Sequence, residues 1–100
     1  MMLGIISKRQ FRKTLLHLGF VEEQGTKHIL FDFYYQGRVA VQTAMSRGGG
    51  KDISKSLLAH ILRYELFLTR NEFVQALRGE LDEHDYIAIL IKKGIIEVEC

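Results

Sequence analysis

The alternation of apolar and polar positions divides the chain into one helix, three strands and a further run of helices. Phe11, Leu15 and Leu18 recur at the spacing of a helix buried on one side, with Ser7 placed to cap its start and Gly19 to end it in the left-handed conformation. Phe20 to Gln24 then reads as a short strand, and Gln24-Gly25-Thr26 as the turn into a stronger strand from Lys27 to about Tyr35. In that second strand Ile29, Phe31 and Phe33 alternate toward the core. His28, Leu30, Asp32 and Tyr34 fall on the other side, an open sheet face reached by solvent or ligand. Gln36-Gly37 is another tight turn, and Arg38 to Ala44 forms the third strand, with Val39 and Val41 inward.

Beyond the strands, Ser46-Arg47-Gly48-Gly49-Gly50-Lys51-Asp52 is the one irregular Gly-rich loop, and it reads as leading straight into a second helix. Ile53, Leu57, Leu58, Ile61 and Leu62 form that helix's apolar stripe, with Asp52 or Ser54 as cap. Thr69-Arg70-Asn71-Glu72 is a capping box that opens a third helix with Phe73, Ala76 and Leu77 on its apolar side, closed by Gly79. Asp82 caps a last helix running through Lys93, and Ile95 to Glu99 alternates like a short strand, Ile96 and Val98 sharing a face. Tyr86, Ile87, Ile89, Leu90 and Ile91 carry more apolar surface than a solvated tail can expose. That tail packs on its own domain or, alternatively, joins two copies in a homo-oligomer. The pattern predicts an α+β fold in a single domain spanning 1–100: a three-stranded antiparallel sheet with helices on one face, and a C-terminal helical extension over 78–100.

Composition narrows the setting. With 47% hydrophobic and 26% charged residues and no Pro among 100, the chain is a globular domain with one core rather than a disordered one. No apolar run is long enough to span a bilayer, and Met1 to Ser7 is too short for a signal peptide, so a cytoplasmic protein with no membrane partner is expected. Cys100 is the sole cysteine, which excludes an internal disulfide and a Cys-based zinc site. His17, His60 and His84 fall in predicted helices without metal spacing, so neither a metal nor another cofactor is implied. The net charge of +2 hides an asymmetry: residues 1–55 carry nine Lys/Arg against four Asp/Glu, and residues 56–100 carry five against eight. A basic first half suits a polyanionic partner, or forms one side of a mixed solvated surface.

Candidate chemistry gathers in that basic half. Gly25-Thr26-Lys27-His28 combines a turn glycine, a hydroxyl, a cation and an imidazole able to exchange a proton near neutral pH, parts that suit an anionic ligand such as RNA. Lys8, Arg9, Arg12 and Lys13 would form a basic ridge on the first helix, for phosphate contact or for solubility alone. The Gly loop, with Arg47, Lys51 and Lys55 beside it, is either an anion trap at a helix N-terminus or a flexible connector. It is not a Walker A loop: the preceding Gly and the Ser or Thr after Lys51 are both missing.

The order helix-strand-strand-strand-helix resembles a double-stranded-RNA-binding-type (dsRBD-like, αβββα) fold, and more closely the HicA-like (YcfA-like) toxin family. Leu18-Gly19-Phe20 closing the first helix, Gly25-Thr26-Lys27-His28 before an apolar strand, Gly37-Arg38-Val39-Ala40-Val41, and the loop into Ile53 to Leu62 carry the likeness over residues 7–77. The chain departs from it at the end of the third strand, where many members have a Pro and a further His and this sequence has Gln42 and Ala44. The resemblance implies a ribosome-independent mRNA interferase neutralised by a HicB-like antitoxin, with His28 as the single catalytic histidine. RNA would be held by Gly25, Thr26, Lys27, Lys8, Arg12, Lys13, Arg47, Lys51 and Lys55. The competing readings are a non-catalytic RNA- or DNA-binding module of the same fold, and a structural adaptor that needs neither His28 nor the basic loop.

Overall fold

Ser7 accepts a hydrogen bond from the Gln10 N–H at 3.1 Å, and the Gln10 side chain accepts one from the Ser7 N–H at 3.2 Å; this reciprocal pair starts the first helix. The computed structural model describes residues 5–98. In chain order it contains β1 (Ile6–Ser7), α1 (Lys8–His17), β2 (Val21–Gln24), β3 (His28–Tyr35), β4 (Arg38–Ser46), β5 (Asp52–Ile53), α2 (Lys55–Ile61), a π-helical turn (Leu62–Leu66), α3 (Arg70–Leu77) and α4 (Glu83–Lys92). The protein is therefore α+β, with an antiparallel sheet in the order β2-β3-β4 and four helices. Gly19, at φ +99°, ends α1 in the left-handed region. Between β3 and β4, Gln36 and Gly37 both take positive φ, the turn geometry whose twist matches that of the flanking strands.

One expectation for β4 fails at a bulge. Phe33 pairs with Val41, but Tyr34 pairs with Val39, so Ala40 is an extra residue in the strand. An extra residue reverses side-chain parity. Val41 is buried, whereas Val39 is 47% exposed on the outer face rather than inward. Asp32 departs from expectation in the opposite sense. It belongs to the outer row, yet it is buried between its cross-strand neighbours Val21 and Gln42, and it accepts a hydrogen bond from the Gln42 amide at 2.7 Å. A buried carboxylate needs such a donor.

The inner face carries Phe31, Phe33, Val41, Thr43 and Met45, all buried. Three helical elements reach it: Phe11 of α1 meets Phe31 edge-on, Tyr86 of α4 meets Phe33 edge-on, and the π-helical turn presents Glu65 to Thr43. Tyr86 is fully buried and donates its hydroxyl to the Leu66 carbonyl at 2.8 Å. Residues of the C-terminal stretch, Leu81, Tyr86, Leu90 and Ile96, thus belong to the same cluster as Phe11 and Phe31.

Three further expectations are corrected. The Gly loop does not lead straight into a helix, because β5 intervenes and pairs with β1, Ile6 opposite Ile53; two-residue strands are too short to show alternation in a sequence. In α2 the buried stripe is Leu58 and Ile61, continued by Leu62, while Leu57 is 51% exposed, since it lies one residue, about 100°, off that stripe. No strand follows α4 among the described residues. The Ile95 and Ile96 N–H groups both turn back to the Leu90 carbonyl as the chain wraps the helix end after Gly94; Ile96 is buried and Val98 exposed, and Glu99 lies outside the described residues.

Candidate functional site

The turn before β3 is held by a close approach of backbone to backbone. The Gly25 N–H donates to the His28 carbonyl at 2.9 Å, and a Cβ at position 25 would come within 2.6 Å of that oxygen, so only glycine fits. Arg47 clamps the same turn. Its Nε donates to the Gly25 carbonyl at 2.8 Å, its guanidinium also bonds the Gln24 side chain, and its backbone N–H donates to the Lys27 carbonyl. Arg47 is accordingly a strut of the turn, while Thr26 and Lys27 project from it as exposed residues.

His28 opens β3 opposite Ser46, the last residue of β4. It is exposed, and its ring makes no hydrogen bond among the described residues. It lines a cleft of about 450 Å³ with Lys8 from α1, Ser46, Gly48, Gly49, Asp52, Ser54 and Glu65, alongside the apolar Met45, Ile53, Leu57 and Ile61. That volume lies in the range of clefts that take small ligands, roughly 300–1,000 Å³. Lys8 Nζ donates to the Ser46 carbonyl, the Ser46 hydroxyl and the Gly48 carbonyl at 3.1, 3.2 and 2.7 Å, which ties the first turn of α1 to the Gly loop. All three ammonium donors thus meet neutral oxygens, so Lys8 is a fixed group in the cleft that His28 also lines.

Glu65 was given no role by the sequence pattern, which ends the second helix at Leu62. The π-helical turn carries the chain on to Leu66, and Phe67 in the left-handed conformation at φ +59° stops it. Such turns insert an extra residue into a helix and are frequent at functional sites. Here the turn brings the Glu65 carboxylate into the cleft, where one oxygen accepts from the buried Thr43 hydroxyl at 2.7 Å and the other lies 3.7 Å from His60 Nε2. His60 rests against the Tyr64 ring, over which the Arg63 guanidinium also lies. No local sequence signal marks the Thr43–Glu65 pair, because the partners stand 22 residues apart on different elements.

The remaining residues predicted to hold RNA are dispersed. Lys51 is exposed on the Gly loop, and its carbonyl accepts from the Lys8 N–H at 2.7 Å. Arg12 forms an ion pair with Glu22. Lys13 lines a separate groove with His17 and Arg78, and Lys55 a small depression with Leu58 and Arg70. The start of α2 is closed by its own residue: Ser54 accepts from the Leu57 N–H at 3.2 Å through its hydroxyl and from the Leu58 N–H at 2.9 Å through its carbonyl. A wider groove of about 520 Å³ beside Arg63, Arg70 and Lys93 holds cations but has no carboxylate or imidazole in its lining. Among the described residues no group of three or more His, Cys, Asp or Glu is placed to hold a metal ion, and no helix is long and apolar enough to cross a membrane. Comparison of the chain with protein-family models, with curated proteins and with solved structures gives no match.

Proposed function

We propose that this chain is an endoribonuclease toxin of the HicA-like type, with a dsRBD-like core formed by α1, β2, β3, β4 and α2, acting on mRNA and held in check by a HicB-like antitoxin protein. The observation that carries the reading is that an exposed His28 lines the same cleft as a fixed cation, Lys8, and a carboxylate, Glu65. In this reading a ribose 2′-hydroxyl attacks the neighbouring phosphate and His28 moves one of the protons involved, a task suited to an imidazole, which can both accept and donate a proton. Lys8 supplies positive charge where the phosphate sits, and Thr26, Lys27 and Lys51, all exposed, meet flanking phosphates.

Induced expression of wild type and His28→Ala, combined with cleavage of a purified transcript, tests this. Wild type arrests growth and cuts RNA, and the variant loses roughly 10²–10⁴-fold in rate while melting at an unchanged temperature. A folded His28→Ala protein that cuts at the wild-type rate sinks the assignment. One observation favours the runner-up, a nucleic-acid-binding module without cleavage: no described side chain orients the His28 ring, as a partner usually does for a catalytic base. Equal RNA binding by both proteins with no cleavage by either establishes that reading instead.

A further inference from the structure

Transesterification at a 2′-hydroxyl moves two protons: one leaves the attacking hydroxyl, and one must reach the departing 5′ oxygen. One imidazole serves one of these at a time, so the cleft should hold a second proton-transfer group. Among the described residues its lining contains four titratable side chains, Lys8, His28, Asp52 and Glu65. Lys8 has its ammonium committed to three oxygens of Ser46 and Gly48. Asp52 is exposed on the two-residue β5, with no side-chain hydrogen bond to fix it among the described residues. Glu65 alone is both held and open: Thr43 fixes one oxygen at 2.7 Å, and its side chain retains 34% exposure.

We propose that Glu65 is the base that takes the 2′-hydroxyl proton and His28 the acid that protonates the leaving oxygen, so that the substrate must carry a free ribose 2′-hydroxyl at the cleaved position. The inference rests on the endoribonuclease reading of the cleft. The 2′ oxygen, as its proton passes to Glu65, forms a bond to phosphorus. The bond from phosphorus to the 5′ oxygen breaks, and that oxygen takes a proton from the His28 imidazolium. The products are a 2′,3′-cyclic phosphate and a 5′-hydroxyl end. Glu65 is left protonated and His28 neutral, and both exchange with water before the next turnover. The Thr43 hydroxyl holds one carboxylate oxygen in place, and His60 of α2 lies 3.7 Å from the other. The charged or titratable groups that face the cleft with it are His60, 3.7 Å away, Lys8 from α1, Asp52 from β5 and His28 from β3.

The test uses the full chain with a mixed-sequence transcript, its DNA counterpart and the pH dependence of kcat/KM. The expected wild-type profile is bell-shaped, with cyclic-phosphate ends and no cutting of the DNA. Glu65→Gln keeps an oxygen for Thr43, so it folds, loses roughly 10²–10⁴-fold in rate and loses the acidic limb, while His28→Ala loses the basic limb. Glu65→Asp, which retains a carboxylate, keeps the acidic limb at a lower rate. Active wild type and inactive His28→Ala, with Glu65→Gln unchanged in rate and acidic limb, overturns the role of Glu65 and leaves RNA cleavage standing. Wild-type products ending in a 3′-hydroxyl and a 5′-phosphate overturn the proton route whatever the variants do. A folded wild type that cuts no RNA overturns both this inference and the function on which it rests.

Discussion

Gly25 is confined to glycine by contact rather than by backbone angle. The atom that an added Cβ would strike at 2.6 Å is the His28 carbonyl oxygen, which cannot swing aside without breaking the turn's own hydrogen bond. Gly25→Ala should therefore cost about 1–3 kcal/mol, the usual penalty for forcing a methyl into filled space, and should displace His28 at the same time. Thermal melting and the proposed RNA cleavage, measured together, are expected to show a lower melting temperature and a larger fractional loss of that activity than of folded protein. Gly48→Ala is the control: nothing lies within 4 Å of a Cβ there, so its stability should stay within about 0.5 kcal/mol of wild type. The Gly25 turn was legible in the sequence because turn chemistry is local. Glu65 was not, because what makes it notable is a hydroxyl delivered from β4 and a helix that widens by one residue, and neither leaves a mark on periodicity.

At the scale of elements, the capped helix starts were readable and the departures from period were not. Thr69 with Glu72 and Asp82 with Asp85 form reciprocal capping pairs at positions where the chain shows polar residues three apart before an apolar run. The bulge at Ala40 has no such signature, and strict alternation assigns Val39 and Val41 to one face when they occupy two. The same substitution at both sites separates the alternatives. Val41→Thr buries a hydroxyl without an assured partner and should cost about 1–3 kcal/mol, whereas Val39→Thr should stay within about 0.5 kcal/mol in chemical denaturation. Equal losses at the two sites would mean that the bulge is absent. The joint between α3 and α4 carries a pH dependence. Partial burial pushes the Glu72 carboxyl up, but hydrogen bonds from Lys93 and the Thr69 N–H, with the Lys93 charge, outweigh it and hold the group below its ordinary range. A carboxylate with a depressed folded-state pKa lends stability above its unfolded value, about 4.3, and that contribution disappears as the pH falls through the folded value. Glu72→Gln should accordingly melt below wild type at pH 7, with the difference closing in strong acid. A gap that persists unchanged at pH 2 would show that Glu72 acts through packing instead of charge.

Across the whole molecule, the sequence pattern divides the chain into a resembling region and an added tail, and the core does not respect that division. Tyr86 touches Phe20 and Phe33 at ring-centroid distances of 5.7 and 5.0 Å, and its hydroxyl closes the carbonyl of Leu66, next to Glu65. The apolar content of the tail foretold that it must be covered. Which surface would cover it depended on how α4 crosses the sheet, and no local pattern encodes that. Burial pushes the Tyr86 phenol far above its usual range, so it remains a hydrogen-bond donor at every pH at which the domain is folded. Tyr86→Phe keeps the ring contacts but strands the Leu66 carbonyl, which should cost about 1–3 kcal/mol. Deleting residues 81–100 goes much further. Removing a buried aromatic and a buried leucine costs about 3–5 and 2–5 kcal/mol respectively, against a total stability of about 5–15 kcal/mol for a typical domain. The truncated chain should therefore show no cooperative melting transition and should lose the proposed RNA cleavage through unfolding, whereas Tyr86→Phe melts cooperatively at a lower temperature and retains that proposed activity per folded molecule. A truncated chain that melts cooperatively near the wild-type temperature would show that α4 is an accessory to the core and not part of it.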